Sequence, residues 1–279
     1  MESFRAMMIT HAFTFFFGLS ISKGQMIPEI ITFILNTLSL LHSHISRYFS
    51  PENHRAAKAA KILDQLTVKL LDRYEVEETY SVGTWQRQAY EDFTRALVAK
   101  DKIFPCIYGT KGYKSNELDF IFLDSEDLDD LNIAKVAAKS IVEYHKVLQS
   151  RGRNISLVLM CPPPSPTAQR TVEEYHKLFW SFLKRLRQLD PKPWPTKIPH
   201  NTFDRKWCMN FDGLEAFFAV LTSPRVVFDI IFKDACYRES ATKTVWGLVD
   251  KYDHIPHSPD ISDYAVEGTM ESRQYFLLD

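Results

Sequence analysis

Cys106 is the residue of this chain best equipped for chemistry. It closes the segment Ile103-Phe104-Pro105-Cys106, with Ile107-Tyr108-Gly109 behind it, so a thiol stands beside a proline and between two aromatics. As a thiolate, such a sulfur is a soft anionic ligand suited to iron in heme or to zinc. Cys161, Cys208 and Cys236 lie far from it and from each other, with no CxxC pair. That spacing argues against a zinc finger and against a dense disulfide framework, and it reads as reduced thiols in a cytoplasmic protein. A second metal candidate is His254-Ile255-Pro256-His257, with Asp253 and Asp260 nearby. Pro256 makes that segment a loop without helical histidine spacing, so a metal role there is the weaker reading.

Other motifs weigh less. Gly109-Thr110-Lys111-Gly112 has neither the glycine spacing nor the lysine position of a phosphate loop, and it reads as a hairpin turn. No Gly-x-Ser-x-Gly elbow supports a serine hydrolase. His145 and His176 fall on helical segments beside apolar residues, where a hydrogen-bonded boundary role is the default. Trp180, Trp194 and Trp207 follow one another among prolines and phenylalanines. They suit either a core or a flat apolar wall for a planar cofactor. The formal net charge of −1 gives no electrostatic case for nucleic acid or an anionic membrane surface.

The elements that must position these residues follow from periodicity. Helices are expected over 54–75, 84–99 and 131–149, and another after the capping box Thr171-x-x-Glu174. Strands are expected over 103–108 and 118–123, as a hairpin, and over 155–160, 207–211, 216–222 and 226–232. A last helix is expected around 240–251. Two apolar runs, Ala6 to Ser22 and Met26 to Leu41, are too short and too interrupted for a membrane span. They read as a helical extension rather than a leader or anchor, so a membrane is not expected as a partner. The expected fold class is α+β: a mixed or mainly antiparallel sheet flanked by helices, with an apolar helical N-terminal extension over 1–79 and a main domain over 80–279.

The blocks Tyr175-His176-x-x-Phe179-Trp180, Leu186-x-x-Leu189-Asp190-x-x-Pro193-Trp194-Pro195-x-x-Ile198-Pro199 and Trp207-x-x-x-Phe211-x-Gly213-x-x-x-Phe217 resemble the YqcI/YcgG family. Phe104-Pro105-Cys106-x-Tyr108-Gly109 and Arg273-Gln274-Tyr275-Phe276-Leu277 resemble its two ends. The resemblance spans about residues 80–279. Some members of that family are heme-dependent enzymes that N-hydroxylate guanidino groups in specialised metabolism. It therefore implies a heme-dependent oxygenase (a monooxygenase and oxidoreductase) acting on a nitrogen of a small guanidino or amino compound. Cys106 would be the iron ligand, while Trp180, Trp194, Trp207 and Phe211 would line or support the cofactor pocket. Asp212 and Glu215 are acidic candidates for holding a cationic substrate. The electron donor is not indicated.

One departure from the family pattern bears on this. Leu221-Thr222-Ser223 runs straight into Pro224-Arg225-Val226-Val227-Phe228, where the family carries a dozen or more additional residues with histidine and arginine. A non-catalytic, heme-free member that binds a small molecule or a partner protein is the alternative this favours. A non-heme metal enzyme using His254 and His257 is a third.

Overall fold

The computed structural model describes residues 32–41, 50–100, 104, 106–152, 154–163, 170–221, 227–231, 243–244, 247–248 and 251. Contacts divide the chain into two units, 1–54 and 55–279. In the first, residues 32–41 are helical, and the Thr37 hydroxyl donates to the Phe33 carbonyl at 2.8 Å. The larger unit carries the sheet.

Six helices are labelled here: α1 (Pro51–Asp64), α2 (Arg73–Thr79), α3 (Trp85–Val98), α4 (Ile107–Lys114), α5 (Leu131–Arg151) and α6 (Val172–Gln188). The strands are β1 (Leu118–Phe122), β2 (Ser156–Met160), β3 (Asn210–Phe211), β4 (Leu214–Glu215), β5 (Phe217–Leu221) and β6 (Val227–Ile231). The main sheet has the order β1-β2-β6-β5, and β3 with β4 forms a separate hairpin. β1 and β2 are parallel, from Leu118 opposite Ser156 to Phe122 opposite Met160. The other pairs, β2–β6 and β5–β6, are antiparallel.

Side chains of β1 and β2 alternate between two cores, as period two requires. Leu118, Phe120, Val158 and Met160 pack with Leu71, Val76, Tyr90, Phe93 and Leu97, which belong to α2, α3 and their approach. Ile121, Leu123, Leu157, Leu159 and Cys161 pack with Ala137, Ile141 and Tyr144 of α5 and Phe182 and Leu186 of α6. Every residue of β2 is buried. A strand covered on both faces reads as an unbroken apolar run, which is what Leu157 to Met160 supplies. The capping box expected at Thr171 and Glu174 is present, and a second one, Asp72 with Glu75, starts α2.

The expected architecture is corrected. Helices of up to 21 residues dominate, no strand exceeds five, and the expected extended, mainly antiparallel sheet is not formed among the described residues. The strand expected over 103–108, and with it the hairpin to β1, is not formed among the described residues, because Ile107 and Tyr108 open helix α4. Deprived of that neighbour, β1 pairs in parallel with β2 through the crossover helix α5, the connection that parallel pairing demands. Residues 1–31, the loop histidines 254 and 257, Cys236 and the C-terminal motif lie outside the described residues.

Packing explains why a helix contains Gly112, and makes no such demand at Gly109. A Cβ on Gly112 would lie 2.2 Å from the Asn154 carbonyl oxygen and 2.9 Å from a Leu118 methyl, so α4 reaches β1 only through a residue without a side chain. A Cβ on Gly109 would meet Cys106 Sγ and a Leu97 methyl at 3.5 Å, an ordinary contact. The two glycines should therefore respond oppositely. Gly112→Ala should destabilise by about 1–3 kcal/mol through overpacking. Gly109→Ala should gain up to about 1 kcal/mol of helix propensity. Thermal denaturation followed by circular dichroism compares them, and melting shifts of the same sign would contradict this packing.

Candidate functional site

Cys106 is the N-cap of α4. Its extended backbone (φ −87°, ψ 92°) turns the side chain back over the helix, and the Gly109 N–H donates to Sγ at 3.3 Å. A backbone N–H aimed at sulfur and the positive end of a helix both stabilise negative charge there. The thiol is half-buried, Gly109 lies between it and a Leu97 methyl, and the Phe104 ring meets Phe93 edge-on at 6.3 Å. α4 is stitched to α3 by the Thr110 hydroxyl, which donates to the Leu97 carbonyl at 2.9 Å. Cys161 contrasts with it. It is fully buried, and burial, with help from the Glu126 carboxylate and against Arg170, pushes its thiol up to about 12. Cys208 is also buried.

Along α3 and reaching Tyr113 of α4 lies an open cleft of about 260 Å³, lined by Glu77, Arg87, Tyr90, Glu91, Thr94, Arg95, Val98 and Tyr113. The Tyr90 and Tyr113 hydroxyls are 3.3 Å apart, and the Tyr90 hydroxyl donates to Glu77 Oε1 at 3.3 Å. Burial of Tyr90, then the Tyr113 hydroxyl and the Glu77 charge, raises its phenol well above the ordinary range. Arg87 is neutralised by Glu91 at 2.7 Å, and Arg95 by Asp92 at 3.1 Å.

The aromatic candidates occupy the other face of the sheet. Trp194, Trp207 and Phe211 are buried in the α5–α6 core, with Trp180 packed against it. Trp180 and Trp207 are 6.1 Å apart. Trp194 donates its indole N–H to the Ile198 carbonyl at 2.8 Å, with the Arg187 guanidinium over its ring and His200 stacked on it. The structure thus gathers Trp180, Trp194, Trp207 and Phe211 in one core and sets Cys106 beside the core on the opposite face of β1 and β2.

The acidic candidates already hold cations. Asp212 and Gly213 form the two-residue turn between β3 and β4 with φ of 52° and 79°, the left-handed pair that Asp-Gly adopts most readily. This turn carries the Asp212 carboxylate to His145 Nδ1 at 3.0 Å and Lys192 Nζ at 3.1 Å. Burial alone would raise Asp212, but hydrogen bonds from His145 and Lys192 hold its carboxyl below the usual range. Glu215 pairs with Lys197 at 3.3 Å. Below the turn, buried Asp190 accepts from the Lys192 and Asp212 backbone N–H groups at 2.9 and 3.0 Å. Burial pushes its carboxyl up to about 6 against those bonds and against Arg187 and Arg55. The pairing of His145 with Asp212 spans 67 positions and has no local sequence signal. The cleft at Glu77 and Tyr113 likewise joins three helices.

Comparison with known proteins places the chain. The YqcI/YcgG family model matches residues 93–225 and 218–279, two segments that overlap at 218–225, across the connection from β5 to β6. "Uncharacterized protein YcgG" of Bacillus subtilis (strain 168) is 30% identical over 232 residues, covering 76% of this chain and 89% of that protein. "Uncharacterized protein YqcI" of the same organism is 26% identical over 227 residues, covering 75% and 88%. A Streptomyces lavendulae protein described as "Putative N(omega)-hydroxy-L-arginine synthase DcsA" is 26% identical over 215 residues, covering 70% and 80%. No solved structure matches the chain, and no described helix is long and apolar enough to cross a membrane. The agreement of the family model over two thirds of the length with the coverage of these relatives establishes that the chain belongs to the YqcI/YcgG family.

Proposed function

We propose that this protein is a heme-dependent oxygenase that hydroxylates a nitrogen of a small guanidino or amino compound, with Cys106 as the thiolate ligand. The observation that carries the reading is the setting of Cys106: a half-buried sulfur at a helix N-terminus, receiving a backbone N–H. The name of the Streptomyces relative points to the same class of reaction. Heme, when bound, supplies the oxidation, and the protein supplies ligand, orientation and exclusion of water. Phe93, Leu97 and Phe104 are the apolar side chains that would face the cofactor on the Cys106 side in this reading. Trp180, Trp194, Trp207 and Phe211 support the opposite core in this reading.

Substrate nitrogen is cationic at neutral pH, and Glu77 is the carboxylate placed to receive it. Its carboxylate accepts a long hydrogen bond from Tyr90, while its backbone carbonyl accepts from Arg87 at 3.0 Å, and it lines the cleft with Tyr113. Tyr113 lies seven positions after Cys106 along α4, a rise of about 10 Å. A substrate anchored by its charge at Glu77 therefore extends along α4 toward the sulfur.

A second reading is a heme-free, non-catalytic family member. The family match changes segment at 218–225, and Leu221 and Val227 are paired strand residues, so the connection between them is five residues long. Any ligand or propionate contact that longer members carry there has no counterpart in this chain.

Titration of the purified protein with hemin, read in the visible spectrum before and after reduction under carbon monoxide, separates the two. The oxygenase reading expects stoichiometric uptake with a thiolate-type spectrum, lost in Cys106→Ala and kept in Cys161→Ala. A folded wild type that takes up no heme establishes the heme-free reading instead. In an active preparation, Glu77→Gln should raise KM for a cationic substrate about tenfold with little change in kcat, the loss expected for one charge-assisted contact. An unchanged KM would remove Glu77 from substrate binding.

A further inference from the structure

Asp119 is an acid in the middle of a buried strand, and burying a charge costs free energy unless it is paired. Its position is fixed by the edge of the sheet. Leu71 and Phe120 exchange both backbone hydrogen bonds, at 3.1 and 2.7 Å, as an antiparallel bridge. Their side chains join the α2–α3 core, so the flanking pair, Asp72 and Asp119, falls on the other face. Arg151, the last residue of α5, meets them there, and its Nη2 donates to Asp119 Oδ1 at 2.7 Å.

The two carboxylates are not equivalent. Asp72 Oδ1 accepts from the Tyr74 and Glu75 N–H groups at 2.9 Å each, and its Oδ2 accepts from Asn116 Nδ2 at 3.1 Å. Asp119 is 0% exposed, and its Oδ2 is buried with no hydrogen-bond partner in the protein. Arg151 Nε is in the same state, so the arginine–carboxylate fork is half closed. One arginine thus serves two adjacent acids, of which only one has an oxygen to spare. Other charges nearby are Glu75, paired with Lys69 at 3.0 Å, Arg73, whose guanidinium lies over the Tyr74 and Tyr113 rings, and Glu117, which packs against Gly152 beside Arg151 and accepts from the Asn154 N–H.

We propose that Asp119 is a proton-operated latch: ionised, it tethers Arg151 and the end of α5 to β1; with a proton on Oδ2, it releases Arg151 to Asp72 and solvent. Burial raises Asp119 to about 6, opposed by Arg151 and reinforced by the negative charges of Asp72 and Glu75. Burial alone would raise Asp72 too, but its N–H and amide donors hold it below the usual range, so it stays anionic throughout. The tether is in place above pH about 6 and lets go below it. Because the folded value lies above the ordinary one, the group's contribution to global stability runs the other way, greatest in acid and lost as pH rises through about 6.

The latch reaches the candidate site through contacts already described. Immediately after Arg151 the chain turns at Gly152 (φ 138°), and the Asn154 N–H donates to Glu117 Oε2 at 2.7 Å. The Asn154 carbonyl is the surface against which Gly112 of α4 packs. Loosening of the α5 end therefore loosens the support of the helix that carries Cys106. This inference stands whether or not the protein binds heme.

The test is a carboxyl carbon NMR titration of Asp119, together with hydrogen exchange at pH 5 and 7.5 corrected for intrinsic rates. The wild type should titrate near pH 6 and exchange several-fold faster at pH 5 over 151–155 and α4. Asp119→Asn, neutral at both values, should show the fast exchange at both. Should that variant not fold, Arg151→Gln decides. Loss of the cation should move the Asp119 midpoint up by about one unit, a tenfold change in proton affinity. A midpoint below 4.5 in the wild type, pH-independent exchange, or a midpoint unmoved in Arg151→Gln would each overturn the latch.

Discussion

Burial of β1 and β2 on both faces is the constraint from which the rest of the structure follows. A strand with no solvent side must hand its side chains alternately to two separate cores. Parallel pairing then requires the chain to leave one face and return by a crossover helix. α5 performs the crossover and stays to cover one face with α6, while α2, α3 and α4 cover the other. Residues packed against opposite faces are separated by the strands between them, however close they are in a family motif. That is why Cys106 and the tryptophans, which read as one constellation in the chain, are divided in space.

The parts legible in the sequence were those that local rules determine. α5 and α6 carry an apolar stripe at helical spacing, and α6 also carries its capping box. β1 and β2 are short apolar runs bounded by polar loops. α4 was illegible because Ile107 and Tyr108 favour strand, and Gly109 and Gly112 disfavour helix, so propensity points the wrong way. What decides in favour of helix is the close approach to Asn154, which no window around residue 107 contains. The parallel register of β1 and β2 was equally hidden, since it depends on the fate of 103–108.

For the candidate site, residue type was informative and partnership was not. Cys106 stood out by its neighbours in the chain, and its role as an N-cap was not foreseen. Asp212 and Glu215 were read as open acids, whereas His145, Lys192 and Lys197 already answer their charge. The carboxylates with unusual electrostatics, Asp119 and Asp190, owe it to burial among elements distant in sequence. Desolvation is a property of the packed interior and leaves no trace in a linear pattern.

The connection between β5 and β6 has a consequence for how this family can vary. Because Leu221 and Val227 close the ladder, residues added or removed between them leave every strand pair in register. Loop-closure entropy grows only logarithmically, so a dozen extra residues there would cost about 1 kcal/mol. The hairpin end therefore behaves as an interchangeable fitting at the end of the sheet where β1 and β2 also finish. Chain can be added or removed at that point while the sheet and its two cores persist, so a change in this connection need leave no mark on stability.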